Sequence, residues 1–331
     1  MSHPFTLGID VSKASLDISL SGEKETRFIQ VSNNEKGFEQ LTQWLVAKQI
    51  GSLHCCLEAT GRYGEAVSLH LYKAGYDVSI VNPKAVKYYA KAKMQRNKTD
   101  QLDAKLLAEY CRKETPYLWH PPAEATQILQ AMTRRLGNLK DDRVREVNRL
   151  KAGSHPVLVR QSLESTITYF TAQIDQLGEA IDHHIKANPT LREKNQLLET
   201  IPGVGVTTAA VILSELPLDD RIMTSKQATA FAGLVPQQAQ SGQVHRRKGL
   251  CKQGSSRLRK ALYMAALSAK RHNPRFRPFV ARMEKEGKHT MKIIGAVMRK
   301  LLVLAYGILK SGKPFDPLHG MPQPSPLTIV K

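Results

Sequence analysis

Four carboxylates stand where an acid is costly or conspicuous. Asp10 interrupts the apolar run Leu7-Gly8-Ile9-Asp10-Val11. Burying an unpaired carboxylate is expensive, so Asp10 calls for a cation or hydrogen-bond donors. Glu58 follows a second apolar run, residues 53–57, where a buried strand should end. Ligands of α/β sheets gather at the carboxyl ends of strands. Asp100 and Asp103 lie three residues apart near the start of a helical segment and project from one face. Each has an ordinary reading as well: a turn-forming strand-end acid, or first-turn acids that suit the helix dipole. As a set they are more telling. Two or more converging carboxylates bind Mg²⁺ or Mn²⁺, and a metal pair can stabilise both oxygens of a phosphoryl transfer.

The elements that must position these acids follow from hydrophobic periodicity. Residues 6–10, 15–20 and 27–31 read as a three-strand meander, followed by a helix over 34–47, a strand over 53–57, a helix over 62–74, a strand over 76–81 and a helix over 99–112. This is an α/β layout, and its order matches the ribonuclease H-like fold. In the middle, Leu129, Met132, Leu136 and Leu139 step by three and four, and Leu163, Ile167, Phe170, Ile174, Leu177 and Ile181 form a heptad seam. Two such segments predict a helical hairpin or coiled coil, its stripe packing within the chain or against a partner subunit. The last third reads as helices over 191–200, 207–215, 227–232, 256–269 and 291–309 joined by loops, with a Pro-rich tail after Lys313.

The charge balance points to a polyanion. The 331 residues carry 49 Lys+Arg against 29 Asp+Glu, a net charge of +20, while 41% apolar residues provide a real core. Between Asp77 and Asp100 there is no acid, while Lys84, Lys87, Lys91, Lys93, Arg96 and Lys98 accumulate beside Tyr88 and Tyr89. Phosphate clamping and base stacking are natural uses, and a solvated face is the alternative. Residues 221–283 again lack any acid and hold 14 Lys and Arg, among them Arg246, Arg247, Lys248, Lys252, Arg257, Arg259 and Lys260. Such an uncompensated run indicates nucleic-acid contact.

Ile201-Pro202-Gly203-Val204-Gly205 between two helices has the form of a helix-hairpin-helix loop, with Gly203 and Gly205 letting backbone amides approach a phosphate. An ordinary tight connection fits equally well. Four scattered cysteines exclude a disulfide scaffold and a zinc finger. Cys55 and Cys56 read as core, and His183 and His184 as solvated or nucleic-acid-facing. No signal peptide or membrane span is expected, and residues 291–309 read as a core helix. By spacing alone Ser241 has no better claim to be a nucleophile than Ser255 or Ser256.

Several motifs occur together in order: Gly8-Ile9-Asp10-Val11-Ser12-Lys13, Glu58-Ala59-Thr60-Gly61, Asn97-Lys98-Thr99-Asp100 with Asp103-Ala104, the 201–205 loop, Ala230-Phe231-Ala232-Gly233-Leu234 with Pro236, Ser241-Gly242, and Arg259-Lys260-Ala261-Leu262-Tyr263. Over about residues 5–315 the chain resembles the DEDD-serine transposases of insertion sequences, the bridge-RNA-guided recombinases related to Piv DNA invertases. The resemblance implies a RuvC-like domain over 1–118, a coiled-coil region over 119–190, a mostly helical serine domain over 191–316 and a tail over 317–331. It implies Mg²⁺ or Mn²⁺ held by Asp10, Glu58, Asp100 and Asp103, and Ser241 as the nucleophile that forms a phosphoserine link. It further implies donor and target DNA, a structured guide RNA and a dimer of dimers, with acids of one subunit meeting Ser241 of another, in the bacterial cytoplasm at the nucleoid. The segment 243–253, with His245 and Cys251, has no assigned role. The rival readings are a RuvC-like resolvase or nuclease in which the acids activate water, an invertase without an RNA guide, and a non-catalytic nucleic-acid-binding protein.

Overall fold

The computed structural model describes residues 3–23, 25–59, 61–94, 97, 99–217, 224–241 and 244–318; for residues 62 and 238–248 it describes the backbone only. The chain forms two compact units, 1–121 and 122–331.

The first unit contains β1 (Phe5–Val11), β2 (Ser15–Ser21), β3 (Thr26–Ser32), α1 (Glu35–Ala47), β4 (Leu53–Glu58), a 3₁₀ turn (Arg62–Gly64), α2 (Glu65–Lys73), β5 (Asp77–Val81), α3 (Pro83–Ala92) and α4 (Asp100–Glu114). The strands make one sheet in the order β3-β2-β1-β4-β5. β1 is antiparallel to β2 and parallel to β4, and β4 is parallel to β5. The period of two sorts the side chains. Leu7, Ile9, Leu16, Ile18 and Leu57 form one core with Phe38, Leu41 and Leu45 of α1 and Val67 and Leu71 of α2. Cys56 and Val81 form a second with Val86 of α3 and Leu106, Leu107 and Cys111 of α4. Both faces of β4 are therefore covered, which is why Leu53, Cys55, Cys56 and Leu57 are all buried, with His54 the one polar residue among them.

The α3 helix lies in the basic segment and is an addition to the expected elements; it buries Val86 fully and packs Tyr89 and Ala90 against the same core. It starts by local chemistry: the Asn82 side chain accepts from the Lys84 amide at 2.9 Å, and Pro83 occupies the first helical position.

The second unit contains α5 (Glu124–Lys151), α6 (Val157–Ala187), α7 (Pro189–Glu199), α8 (Val206–Glu215), α9 (Ser225–Phe231), β6 (Pro236–Ser241), β7 (Val244–Leu250), α10 (Ser256–His272), α11 (Arg277–Lys285) and α12 (Thr290–Ser311). α5 and α6 are an antiparallel hairpin whose buried seam joins Leu129, Leu136 and Leu139 to Ile174, Ile181 and Ile185. The His184 ring, expected to be solvated or nucleic-acid-facing, hydrogen-bonds the Ala125 carbonyl at 2.8 Å and ties the end of α6 to the start of α5. Toward the hairpin tip the seam thins: Leu163, Ile167 and Phe170 are half-buried, and Val157 and Leu158 are 71% and 79% exposed.

Two features depart from the expected helices and loops. Residues 236–250 form an antiparallel hairpin, so Ser241 ends a strand rather than opening a loop. Their polar sequence carries no apolar alternation to reveal it. α11 is also additional, anchored mainly through Phe276 and Val280. α12 is a core helix, as its spacing predicts, and no described helix is long and apolar enough to cross a membrane.

Candidate nucleic-acid processing site

The acids are set by how α4 crosses the sheet. Arg112 donates to the Gly22 carbonyl at 2.7 Å and to the Ser21 carbonyl, and Cys111 Sγ lies 3.5 Å from the His54 carbonyl. Ser21 and His54 both stand beside Thr6, near the start of β1. The C-terminal end of α4 therefore covers the starts of β1 and β4, and the helix runs antiparallel to both. Eight residues back from Cys111 is Asp103, a rise of about 12 Å. Four residues on from His54 is Glu58, about 13 Å along the strand. Asp103 thus reaches the level of Glu58, at the carboxyl ends of β1 and β4.

Asp10 and Glu58 also share the sheet face beneath α4. Gly8 and Cys56 lie against that helix, and Asp10 and Glu58 follow each by two residues. Thr99 begins α4 by accepting from the Leu102 amide at 3.3 Å, which puts Asp100 and Asp103 in its first turn. Asp10, Glu58 and Asp103 are half-buried, and Asp100 is exposed. Among the described residues, no three His, Cys, Asp or Glu side chains close on a common point. What the four acids share is one end and one face of the fold. Their chemistry is that of hard oxygen donors, which suits Mg²⁺ or Mn²⁺.

The loops behind the acids are tied together. Asn33 Nδ2 donates to the Ser12 carbonyl at 2.8 Å and to the Tyr63 carbonyl at 3.1 Å. It thereby joins the turn after Asp10 to the segment after Glu58. Sequence reasoning missed Asn33, because no local pattern reports a bond to a residue thirty positions away.

Ser241 ends β6 facing Val244. Arg246, Arg247 and Lys248 lie along β7, and Arg96 and Lys98 fall outside the described residues. The other cations divide by what they touch. Lys84, Lys87 and Lys91 are exposed on α3, beside Tyr88 at 65% exposure. Lys93 instead pairs with Glu109 and lies over the Tyr89 ring, which stacks edge-on against Tyr110. The Glu109 contact raises the pKa of the Lys93 ammonium. Arg259 donates to the Ala232 and Gly254 carbonyls at 2.9 and 3.0 Å, a structural use, and Lys260 pairs with Asp141. Lys252 and Arg257 are exposed.

Gly203 has a packing reason of its own. Its φ is +103°, and a Cβ there would stand 2.7 Å from the Ala269 amide nitrogen of α10. Gly205 is exposed at the start of α8, with open space around it. Cys55 and Cys56 are buried core, as expected. Burial pushes the Cys55 thiol pKa up, and a hydrogen bond with Cys111 does the same to Cys56.

Residues 7–153 match a family model described as a transposase of the IS110 type, and residues 195–281 match that of the transposase IS116/IS110/IS902 family. The pilin gene-inverting protein of Moraxella bovis is 35% identical over 315 residues, covering 94% of this chain and 97% of that protein. The Yersinia enterocolitica transposase for insertion sequence element IS1328 is 25% identical over 298 residues, covering 80% and 84%. Among solved structures, T. thermophilus RuvC in complex with a Holliday junction substrate aligns loosely: TM-score 0.27, 16% identity, 35% of this chain and 100% of that one. The two family matches and the near full-length similarity to a DNA-inverting protein together mean that this chain belongs to the IS110-type transposases, a family related to DNA invertases.

Proposed function

We propose that the protein is an RNA-guided DNA recombinase of an insertion sequence, cutting and rejoining donor and target DNA through a covalent 5′-phosphoserine link. The observation that carries this reading is the antiparallel crossing of α4, which gathers Asp10, Glu58, Asp100 and Asp103 at one end of one sheet face. In this reading residues 1–118 are a RuvC-like domain, 119–190 a coiled-coil region, 191–316 the serine domain and 317–331 a tail. The sheet order β3-β2-β1-β4-β5 supports the first assignment and the α5–α6 hairpin the second.

Asp10, Glu58, Asp100 and Asp103 would hold Mg²⁺ or Mn²⁺, which supplies charge stabilisation at the phosphoryl oxygens when bound. Ser241 Oγ attacks the phosphorus, forming the Ser–O–P bond as the P–O3′ bond breaks, and the departing 3′ oxygen takes a proton. Attack by a 3′ hydroxyl on the phosphoserine reverses these bonds and rejoins DNA without an outside energy source. The exposed Lys84, Lys87 and Lys91, with Arg246, Arg247, Lys248, Lys252 and Arg257, would carry phosphate contacts. Gly205, exposed at the start of α8, would present backbone amides, with Gly203 shaping the loop. A structured guide RNA would supply sequence choice, since base pairing relieves side chains of that task. The exposed Val157 and Leu158 near the hairpin tip support self-association, and this reading has the protein assemble as a dimer of dimers in the cytoplasm at the nucleoid.

The test is incubation of the full-length protein with donor DNA, target DNA, copurified RNA and Mg²⁺, followed by a denaturing gel. A protein–DNA adduct is expected, absent with Ser241→Ala. Adduct formation by that variant refutes the nucleophile, and cleavage without any adduct favours water as the attacking group. A second reading, a DNA invertase needing no guide, is favoured by the 35% identity to the pilin gene-inverting protein. Recombination that persists after RNase treatment would establish it.

A further inference from the structure

Asp17 of β2 faces Asp10 of β1 across the antiparallel pair. Residues directly opposite point to the same side of the sheet, with Cβ atoms about 5 Å apart. Asp17 therefore lies on the face beneath α4 that also carries Asp10 and Glu58. It is 9% exposed. From the next strand, Gln30 donates Nε2 to Asp17 Oδ1 at 2.9 Å, and Gln30 is itself the register partner of Asp17. Like charges directly opposite one another destabilise a sheet. Further along this face of β2 the chain carries the neutral Ser19 and Ser21, so an acid at position 17 is not required to build the sheet.

We infer that Asp17 is a positioning residue for a divalent cation held by Asp10 and its companion acids. Its carboxylate adds negative charge beside Asp10, and the Gln30 amide fixes its direction. Groups that orient or polarise a metal's ligands typically change affinity by 10- to 100-fold. The inference rests on reading the four acids as the cation-holding set, and it extends that set to a strand that contributes none of them. Local spacing cannot reveal it, since Asp17 sits seven residues from Asp10 and meets it only through the register of the hairpin.

The test is titration of the full-length, metal-free protein with Mn²⁺ alone, following the free-ion signal by electron paramagnetic resonance. Asp17→Asn should weaken Mn²⁺ binding roughly tenfold, while Asp17→Glu, which restores the charge, stays within a few-fold of wild type. The metal-free melting temperature of Asp17→Asn should equal or exceed that of wild type, because a like-charge pair has been removed. Gln30→Leu, which keeps the charge and removes the orienting amide, should weaken Mn²⁺ binding by a smaller factor and covers the case in which Asp17→Asn folds poorly. Wild-type Mn²⁺ affinity in both Asp17→Asn and Gln30→Leu overturns the inference. If Asp10→Asn also binds Mn²⁺ like wild type, it is the cation-holding role of the acids that fails.

Discussion

Gly8 of β1 lies directly beneath Ala104 of α4: a Cβ at residue 8 would stand 1.9 Å from the Ala104 carbonyl oxygen and 2.4 Å from the Ala108 amide nitrogen. Both neighbours are helix backbone and cannot step aside as a flexible side chain would. Gly8→Ala should therefore push α4 off the sheet, at a cost of roughly 3 kcal/mol, and shift the first turn that bears Asp100 and Asp103. Thermal melts of the full chain should show a drop of several degrees, together with loss of strand exchange. A wild-type melting temperature would refute the contact.

Neutral isosteres at the acids should separate chemistry from binding. Asp10→Asn, Glu58→Gln and Asp103→Asn are each expected to slow adduct formation by about a hundredfold or more. DNA affinity should change little, since phosphate contacts by Lys and Arg carry it. Gel-shift titration alongside single-turnover cleavage checks this, and an equal loss in both would argue against a role at the reacting phosphate.

The cations of the first basic segment should not behave alike. Lys87 and Lys91 are exposed, whereas Lys93 is engaged by Glu109. Replacing Lys87 and Lys91 with Ala should flatten the dependence of log affinity on log salt by about 2. Lys93→Ala should leave that slope nearly unchanged. Fluorescence anisotropy with nucleic acid at several salt concentrations distinguishes the two.

Acid should weaken the first unit through His54. The ring Nε2 lies 2.7 Å from Ser79 Oγ, which in turn donates to the Tyr117 carbonyl at 2.8 Å, so Nε2 is the donor to Ser79. Burial disfavours the charged ring and lowers its pKa from the ordinary 6.5, with the Asp77 carboxylate pulling weakly the other way. As pH falls below about 6.5 the unfolded chain takes up a proton that the folded chain refuses. The contribution is thus complete above that pH and lost below it. His54→Gln, which can still donate to Ser79, should flatten the acid limb of melting temperature against pH.

In the second unit Arg134 Nε meets Glu215 Oε1 at 2.8 Å, with side-chain exposures of 19% and 7%. Ser255 Oγ stands 3.4 Å from the other carboxylate oxygen. Arg134→Met strands a buried carboxylate and should cost about 3 kcal/mol. Arg134→Met with Glu215→Leu should recover much of that loss. Denaturant unfolding of the two variants measures the difference, and equal destabilisation would show that the carboxylate finds other support.

Much of this protein can be read from local pattern. Alternation and length locate the strands, so Asp10 and Glu58 could be assigned to strand ends before any fold was known. Three- and four-residue steps locate the α5–α6 hairpin, because each stripe must bury itself. Features set by distant partners left no such mark. The polar β6–β7 hairpin lacks an apolar period. The fate of Lys93 depends on Glu109, sixteen residues on. Asp17 became the neighbour of Asp10 only when β2 paired in one register, and the first turn of α4 reached the sheet's carboxyl end only because Gly8 admits the helix backbone. Periodicity reports which face a residue takes, whereas the meeting of two faces is decided by packing and register across the whole unit.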